Sequence, residues 1–512
     1  QNEAKAYYML GNLHRKSGQH LDAINCYDKA LSVTPENLAV QVNRANALLD
    51  LGELQEAEIA YLKVLEVQPN LAVVQCNFGL LQGRLERPDK AVIAMQRAVK
   101  LDPNLTQAHR YLADLLLEQE RNEEAVLALE GLLAINPRDS KLLMELGNLL
   151  RKVGAYERAE RSYRSAIVLE PELAEAHYRL GLTLQLQSKY PDAVKSYINA
   201  TKLESERADY HVSLANCLHQ IGDVDGATEQ YRTAMNLDPS LAHARLGYCI
   251  SQLPIVYRSE AEIHEYRSKY SQALLDMHNY FLDSDLEERA RCADAVGFLQ
   301  PFFLAYQGLP VRDLQERYAA TIRMLMVARY PEFDRKISMP AVTDRIRLGI
   351  VSGFFQNHSA WNHFRGIFEA LDRSRFEIYL FSTRSDADRT TQLLDYISDG
   401  FIQGPKQIGE WAQTIRQHEL HALIYPEFGM DPTAIQLGCL RLAPIQLTSW
   451  GHPVSSGLET IDYFLSSDLM EPDNGQNDYT EKLVRLPNLG LHCRLPTVEA
   501  APLSRVDMNL PE

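Results

Sequence analysis

The chain has 512 residues, and at roughly 100–200 residues per domain this length predicts two to four globular domains. Its 52 basic and 68 acidic side chains give a formal charge of −16, which would repel a nucleic-acid backbone, so we expect no nucleic-acid partner. Without a long apolar run, a CxxC pair or clustered carboxylates, the sequence predicts a cytoplasmic protein with no membrane span, disulfide framework or metal site.

The first 241 residues repeat with a period of 34. The period is marked by alanines at Ala23, Ala57, Ala91, Ala125, Ala159, Ala193 and Ala227. A small residue precedes each alanine by twelve positions, a large one follows by four, and proline follows by twelve in six of seven cases. Neighbouring helices can approach closely where side chains are small, and proline ends the second helix because it lacks an N–H. Each unit is therefore a helix–turn–helix that must stack on its neighbours.

This pattern resembles the tetratricopeptide repeat, which implies a superhelix over 1–241. One position on the first helix of several repeats is occupied by an asparagine: Asn12, Asn46, Asn148 and Asn216. Tetratricopeptide families often use this position to hold an extended polypeptide, since an amide can both donate and accept hydrogen bonds. The resemblance therefore implies peptide contact, and the alternative is a tolerated, solvated helix residue.

Residues 242–340 lose the 34-residue register. Two long amphipathic stretches, EAEIHEYRSKYSQALLDMHNYF and VRDLQERYAATIRMLMVARYP, predict helices that cap the last repeat. Between them, the aromatic residues of VGFLQPFFLAYQG are interpreted as core. We expect a helical adaptor.

In residues 341–512 short β-rich runs alternate with helical ones. The strands are predicted at RIRLGIVSG, FEIYLFST, FIQGP, HALIYPEF, IQLTSWG, YFLSS and EKLVRLP, and the helices at 359–372, 386–399, 407–419, 432–441 and 456–461. Such alternation favours a doubly wound parallel sheet, which binds ligands outside the carboxyl ends of its strands. Three loops qualify, at 354–362, 426–432 and 451–457.

The motifs of this region resemble bacterial SPINDLY-type protein O-glycosyltransferases, relatives of the O-linked N-acetylglucosamine transferases. They are RLGIVSGFFQNHSAWN, IYPEFGMDP, LAPIQ, GHPVSSG and IDYFLSS, and FLQPFFLAYQG in the adaptor is also similar. The resemblance covers about 297–490 and implies a GT-B fold, with 341–512 as its Rossmann-like first lobe. We expect the second, nucleotide-binding lobe to be absent, with the chain ending at LSRVDMNLPE where that lobe would begin. The initial Gln also leads us to expect that the native chain starts earlier.

The resemblance implies an active-site role for His358, whose near-neutral pKa suits proton transfer or a hydrogen bond to a reacting hydroxyl. The alternative is a polar residue in a helix-capping turn with Asn357 or Ser359. By the same resemblance the donor sugar is faced by Gly451, His452 and Pro453, with Ser455 and Ser456 nearby. For that loop the alternative is a plain strand–turn–helix connection with Ser455 as N-cap.

Gly429 and Asp431 are placed similarly by the resemblance, although Asp431 before Pro432 is also an ordinary helix start. Sequence reasoning thus predicts a protein O-glycosyltransferase that needs no cofactor beyond a nucleotide sugar, with UDP-GlcNAc as the expected donor. Its expected partners are polypeptide acceptors, and a further copy of the chain, in a homo-oligomer, is an additional candidate. The alternatives are a tetratricopeptide scaffold with a non-catalytic α/β module, and the same enzyme class using GDP-fucose.

Overall fold

The computed structural model describes residues 2–341, 344–385 and 387–490. The chain divides into two compact units, Gln1–Ser205 and Glu206–Glu512. The LSRVDMNLPE segment, where the resemblance places the start of a second lobe, lies outside the described residues. The division predicted from sequence, at 241 and 340, stays a prediction.

The first unit consists of paired helices at the predicted period. They are α1 (Asn2–Lys16), α2 (His20–Val33), α3 (Leu38–Leu51), α4 (Leu54–Val67), α5 (Ala72–Arg84), α6 (Pro88–Leu101), α7 (Thr106–Glu118), α8 (Asn122–Ile135), α9 (Ser140–Lys152), α10 (Tyr156–Leu169), α11 (Ala174–Leu186) and α12 (Tyr190–Leu203). The tetratricopeptide part of the predicted fold class is therefore confirmed.

The small and large positions of the repeat fit into one another. A Cβ at Gly147 would lie 2.6 Å from Cε1 of Tyr163, and one at Gly181 would lie 2.6 Å from Cε1 of Tyr197. Both tyrosine side chains are fully buried, so neither ring has room to move away. In these two units the glycine is thus required by the tyrosine of the second helix.

Four turns between repeats of the first unit are closed by a side chain six positions after the proline. It donates a hydrogen bond to the proline carbonyl from Gln41 to Pro35 at 2.6 Å and from Gln75 to Pro69 at 3.0 Å. In two later turns Nε2 of a histidine replaces the amide, at 2.9 and 3.0 Å, in the pairs His109–Pro103 and His177–Pro171. Each of these bonds gives a partner to a backbone carbonyl of the turn that follows the preceding helix.

The second unit begins with further helices. They are α13 (Ala208–Gln220), α14 (Val224–Leu237), α15 (Ala242–Ile250), α16 (Glu260–Asp283), α17 (Leu286–Cys292) and α18 (Arg312–Arg329). The two amphipathic stretches of the adaptor are α16 and α18. The core interpretation of the aromatic residues of VGFLQPFFLAYQG holds in part for Phe298 and Phe303, which are half-buried and pack against core residues. It is wrong for Tyr306, which is 63% exposed.

The strand-rich region forms one parallel sheet. Among the described residues its strands are β1 (Ile346–Ser352), β2 (Phe376–Ser382), β3 (Gly400–Gln403), β4 (Ala422–Tyr425), β5 (Ile445–Ser449), β6 (Tyr463–Ser467) and β7 (Lys482–Leu486), in the order β3-β2-β1-β4-β5-β6-β7. The helices between them are α19 (Ser359–Ala370), α20 (Arg389–Ile397), α21 (Ile408–Gln417) and α22 (Pro432–Gly438). The predicted strands and the doubly wound α/β class are confirmed.

The helix predicted at 456–461 is wrong. Turns connect β5 to β6, and Leu458 and Ile461 are buried in the apolar core. That core joins α15, α16 and α18 to the sheet through side chains such as Leu246, Tyr270 and Val351. Because these two side chains anchor the short connection in the core, it does not form a helical turn. In the part of the chain that the structure describes, no helix is long and apolar enough to cross a bilayer.

Candidate active site

The order of the strands reverses between β1 and β4, which opens a crevice at their carboxyl ends. The loops after β1, β4 and β5 meet there. A Cβ at Gly451 would lie 2.6 Å from the Pro426 carbonyl oxygen and 2.8 Å from Cα of Glu427. Only glycine therefore allows the loop after β5 to approach the loop after β4 this closely.

The loops that carry the two candidate histidines lie on the same side of the sheet. Trp450, which directly precedes Gly451, stacks on Phe364 of α19 with ring centroids 5.5 Å apart and planes inclined by 28°. The helix α19 is the one that begins directly after His358. The structure thus brings the surroundings of His358 and Gly451 together, as a shared reaction centre requires.

His358 is itself the N-cap of α19. Its Nδ1 accepts a hydrogen bond from the Ala360 backbone N–H at 3.2 Å, and its ring stacks on Phe354 with centroids 4.4 Å apart. Because Nδ1 accepts this bond, the proton of the neutral imidazole is on Nε2. The capping alternative is therefore correct for this nitrogen, and Nε2–H remains as a donor. Asn357 is exposed, and its backbone N–H is bound by Asp388 Oδ2 at 2.8 Å.

His452, in contrast to the helix-capping His358, is buried under the adaptor. Its side chain is 5% exposed, and its ring lies against Phe302 of the adaptor at 5.1 Å between centroids. Burial lowers the pKa of His452 to about 4, and a hydrogen bond to the Phe302 backbone opposes that shift. Nε2 of His452 is buried and has no partner among the described residues. His452 also lines a cavity of about 30 Å³.

A second glycine, Gly429, is required beside the His452 ring. Gly429 has a φ of +98°, and a Cβ there would lie 3.1 Å from Cγ of His452. The predicted residues Gly429, Gly451 and His452 are thus in contact or adjacent. Pro453 is exposed at the tip of the loop.

Both serines of GHPVSSG are hydrogen-bonded to Glu481, which lies about 25 residues later in the chain. Ser455 Oγ donates to Glu481 Oε2 at 2.7 Å, and the Ser456 backbone N–H donates to Glu481 Oε1 at 2.8 Å. The Ser456 hydroxyl also donates to Glu481. Ser455 caps no helix, because turns follow it. These bonds fix the loop, and contact of either serine with a sugar stays a prediction.

Two buried carboxyl groups lie under the loops. Asp431 is the N-cap of α22, as its position before Pro432 predicts, and its Oδ2 accepts from the Ala434 N–H at 2.8 Å and the Thr383 hydroxyl at 3.2 Å. Burial raises the pKa of Asp431. Sequence reasoning missed Glu427, whose side chain is 2% exposed and whose pKa burial raises to about 8. The signal that could have found it is an acidic residue two positions after a strand, at the carboxyl edge of the sheet.

The asparagines of the repeats accept hydrogen bonds from tyrosines fifteen positions later. The Tyr27, Tyr61 and Tyr163 hydroxyls donate to Oδ1 of Asn12, Asn46 and Asn148 at 2.8, 2.6 and 2.8 Å, and in the second unit Tyr231 donates to Asn216 in the same way. Asn12 and Asn46 also accept from the side chains of Asn43 and Asn77. The amide oxygens are therefore engaged, which leaves the amide N–H groups to reach a ligand.

Comparison with known proteins agrees with both parts of the chain. Residues 314–492 match the model of glycosyl transferase family 41, residues 208–241 match the tetratricopeptide repeat, and residues 1–213 match the C-terminal domain of cilia and flagella-associated protein 70.

Several curated relatives are peptide N-acetylglucosaminyltransferases. The UDP-N-acetylglucosamine–peptide N-acetylglucosaminyltransferase of Caenorhabditis elegans is 30% identical over 158 residues, which are 30% of this chain and 14% of that protein. The probable enzyme SPINDLY of Oryza sativa is 30% identical over 182 residues, 34% of this chain and 19% of that protein. The chain thus spans less than a quarter of the length of these relatives.

A solved structure of a mutant O-GlcNAc transferase from Thermobaculum terrenum is 22% identical and has a TM-score of 0.49, with 71% of this chain and 61% of that chain covered. Residues 314–492 carry a glycosyl transferase family 41 region, and this region follows tetratricopeptide repeats in a chain that resembles the O-GlcNAc transferase and SPINDLY proteins.

Proposed function

We propose that the protein transfers a sugar from a nucleotide donor to Ser or Thr hydroxyls of polypeptides that the repeats hold. UDP-N-acetylglucosamine is the first donor to test, because the curated relatives are named for it. The transfer is a displacement at the anomeric carbon with inversion: the hydroxyl oxygen bonds to that carbon as its bond to the nucleoside diphosphate breaks, and the hydroxyl proton passes to a phosphate oxygen of the leaving group. A second lobe would supply most contacts to the nucleotide. This assignment is supported by the family 41 match and by the loops at the carboxyl edge of the sheet.

One observation carries the chemical part of the proposal. Two imidazoles lie on loops that pack together: the Ala360 N–H engages Nδ1 of His358, which leaves Nε2–H as a donor, and Nε2 of His452 is buried without a partner among the described residues. A donor can orient the acceptor hydroxyl or stabilise leaving-group charge. In this state His358 positions and donates rather than accepting the proton.

The repeats contribute the binding of the acceptor chain. Since tyrosines engage the amide oxygens of Asn12, Asn46 and Asn148, the amide N–H groups of these side chains would donate to peptide carbonyls. Asn148 is exposed, so its replacement tests this contact with little effect on folding. We expect Asn148→Ala to weaken binding of an acceptor polypeptide, as measured by calorimetry.

The test of the function is mass spectrometry of an intact acceptor protein after incubation with the full-length enzyme and a panel of nucleotide sugars. The panel includes UDP-N-acetylglucosamine and GDP-fucose, so the mass added identifies the sugar. Acceptor binding without any mass increase would favour the alternative of a tetratricopeptide scaffold with a non-catalytic α/β module.

A matched pair of variants tests the role of His358. Asn is a good N-cap, so His358→Asn should keep α19 intact while it removes Nε2–H. Loss of a preorganised donor lowers kcat by about 10²-fold, whereas the control His264→Asn, an exposed histidine of α16, should leave kcat near that of the wild type. Wild-type turnover in His358→Asn would remove His358 from the mechanism.

A further inference from the structure

Glu427 lies two residues after the end of β4, in the crevice where the strand order reverses. Its side chain is almost fully buried, and Oε1 has no hydrogen-bond partner among the described residues. An ionised carboxylate in such a place needs a cation or several donors. No ion pair to Glu427 is present in the described part of the chain, and the ionisable neighbour that acts on it is a second acid, Asp431.

The surroundings of Glu427 therefore favour its neutral form. Burial first of all, and then the charge of Asp431, raise the pKa of Glu427 to about 8, although the Ser352 hydroxyl and the Gly353 N–H act in the opposite direction. Asp431 in turn faces Arg384, whose positive charge lowers the pKa of Asp431 and so opposes the effect of its burial. At neutral pH Glu427 thus keeps its proton.

Both histidine-bearing loops touch these acids, and both do so at a glycine. Ser352 ends β1 and Gly353 begins the loop that leads to His358, and their hydroxyl and N–H groups act on the Glu427 carboxyl group. On the other side, a Cβ at Gly451 would lie 2.8 Å from Cα and 2.9 Å from Cβ of Glu427. A Cβ at Gly353 would likewise lie 2.9 Å from Oδ1 of Asp431.

We propose that Glu427, as a neutral carboxylic acid, is a positioning residue that sets the spacing between the loop carrying His358 and the loop carrying His452. Its ionisation would place a second negative charge beside Asp431 without a cation to pair with it, and the loops would move apart to admit water. The effect on catalysis rests on the proposed function, whereas the proton on Glu427 does not.

The first measurement is isotope-edited infrared spectroscopy of the full-length protein in the carbonyl region of protonated carboxylic acids. We expect a band at pH 7 that disappears as pH rises through about 8 and that is missing in Glu427→Gln. A matched control is Glu419→Gln, whose side chain is 75% exposed at the opposite edge of the sheet. This control should retain the band.

The second measurement is the pH profile of sugar transfer. If only the neutral acid supports transfer, a group with a pKa of about 8 leaves about one-tenth of the activity at pH 9 relative to pH 7. Glu427→Gln should keep kcat at pH 7 within about threefold and lose this alkaline decline, because an amide keeps the donor but cannot ionise. Glu427→Ala should lower kcat at every pH.

The outcomes separate the two proposals. A band that Glu427→Gln leaves in place would overturn the neutral acid, whether or not the protein transfers a sugar. If the band behaves as expected and Glu427→Gln still declines above pH 8 as the wild type does, the positioning role is refuted. If no nucleotide sugar supports transfer while the band behaves as expected, the proposed function fails and the proton assignment stands.

Discussion

The hydrogen bond between Tyr61 and Asn46 allows the structural role of the repeat asparagines to be measured apart from ligand binding. The Tyr61 ring is fully buried and Asn46 is 9% exposed, and Asn77 Nδ2 donates to the same amide oxygen at 2.8 Å. Removing the donor and removing the acceptor therefore have unequal consequences.

The expected losses of stability depend on which buried polar atom loses its hydrogen-bond partner. Tyr61→Phe keeps the shape of the ring and leaves Oδ1 of Asn46 with its bond from Asn77, so we expect a loss of about 0.5–1 kcal/mol. Asn46→Ala leaves the buried Tyr61 hydroxyl without its acceptor, which raises the expected loss to about 2–3 kcal/mol. In the Asn46→Ala background, Tyr61→Phe should then be neutral or stabilising.

The assay is equilibrium urea unfolding of the full chain, followed by far-ultraviolet circular dichroism. Repeat arrays are stabilised by intrinsic and nearest-neighbour contributions, so the loss should appear in the transition that involves these repeats. The matched control is Asn148→Ala, where the same tyrosine bond is made by an exposed asparagine and water can replace the lost acceptor. We expect a loss of about 1 kcal/mol or less there.

Two results would refute the reasoning. Equal losses for Asn46→Ala and Asn148→Ala would show that burial of the bond does not decide its contribution. A Tyr61→Phe loss that is the same with and without Asn46 would show that the two side chains are not coupled.

Two further predictions concern the candidate active site. Gly451→Ala places a Cβ against the backbone of Pro426 and Glu427 and should destabilise the fold by about 1–3 kcal/mol. The control Gly83→Ala, on α5 with open space around it, should stabilise the fold by up to about 1 kcal/mol. Thermal unfolding of both variants checks this prediction. The pKa of His452 falls from 6.5 to about 4 on folding, so the unfolded chain binds the extra proton and stability should decrease by up to about 3 kcal/mol as pH falls from 6.5 to 4. His452→Asn, which keeps a donor for the Phe302 carbonyl, should flatten this slope in urea unfolding, and an unchanged slope would place the titration elsewhere.

The repeats and the strands could be predicted because their signals are local. The alanine period, the proline after each second helix and the runs ending at Ser352 or Ser449 each depend on residues close in sequence. The order of the loops along the carboxyl edge then follows from the parallel connection of the strands.

The parts that sequence reasoning missed depend on distant residues. The 456–461 region lacks a helix because its side chains are buried in the core and because Ser455 and Ser456 are held by Glu481, about 25 positions away. The burial of His452 comes from Phe302 of the adaptor, 150 positions earlier in the chain. Neither pairing leaves a periodic signal, and the isolated position of Glu427 becomes meaningful only when the crevice around it is known.

The side chain that closes several turns onto a proline carbonyl has a consequence for how such arrays diverge. Gln75 and His177 perform the same task with different chemical groups, and Arg245 donates to Pro239 in the second unit. Where the bond is made, the residue can therefore vary in size, ring character and charge as long as one N–H points back at the turn, whereas Leu143, six positions after Pro137, has no side-chain N–H to donate. Turns that have the bond should tolerate exchange among nitrogen-bearing residues, and a one-residue insertion between the proline and the donor should carry that donor out of reach of its carbonyl.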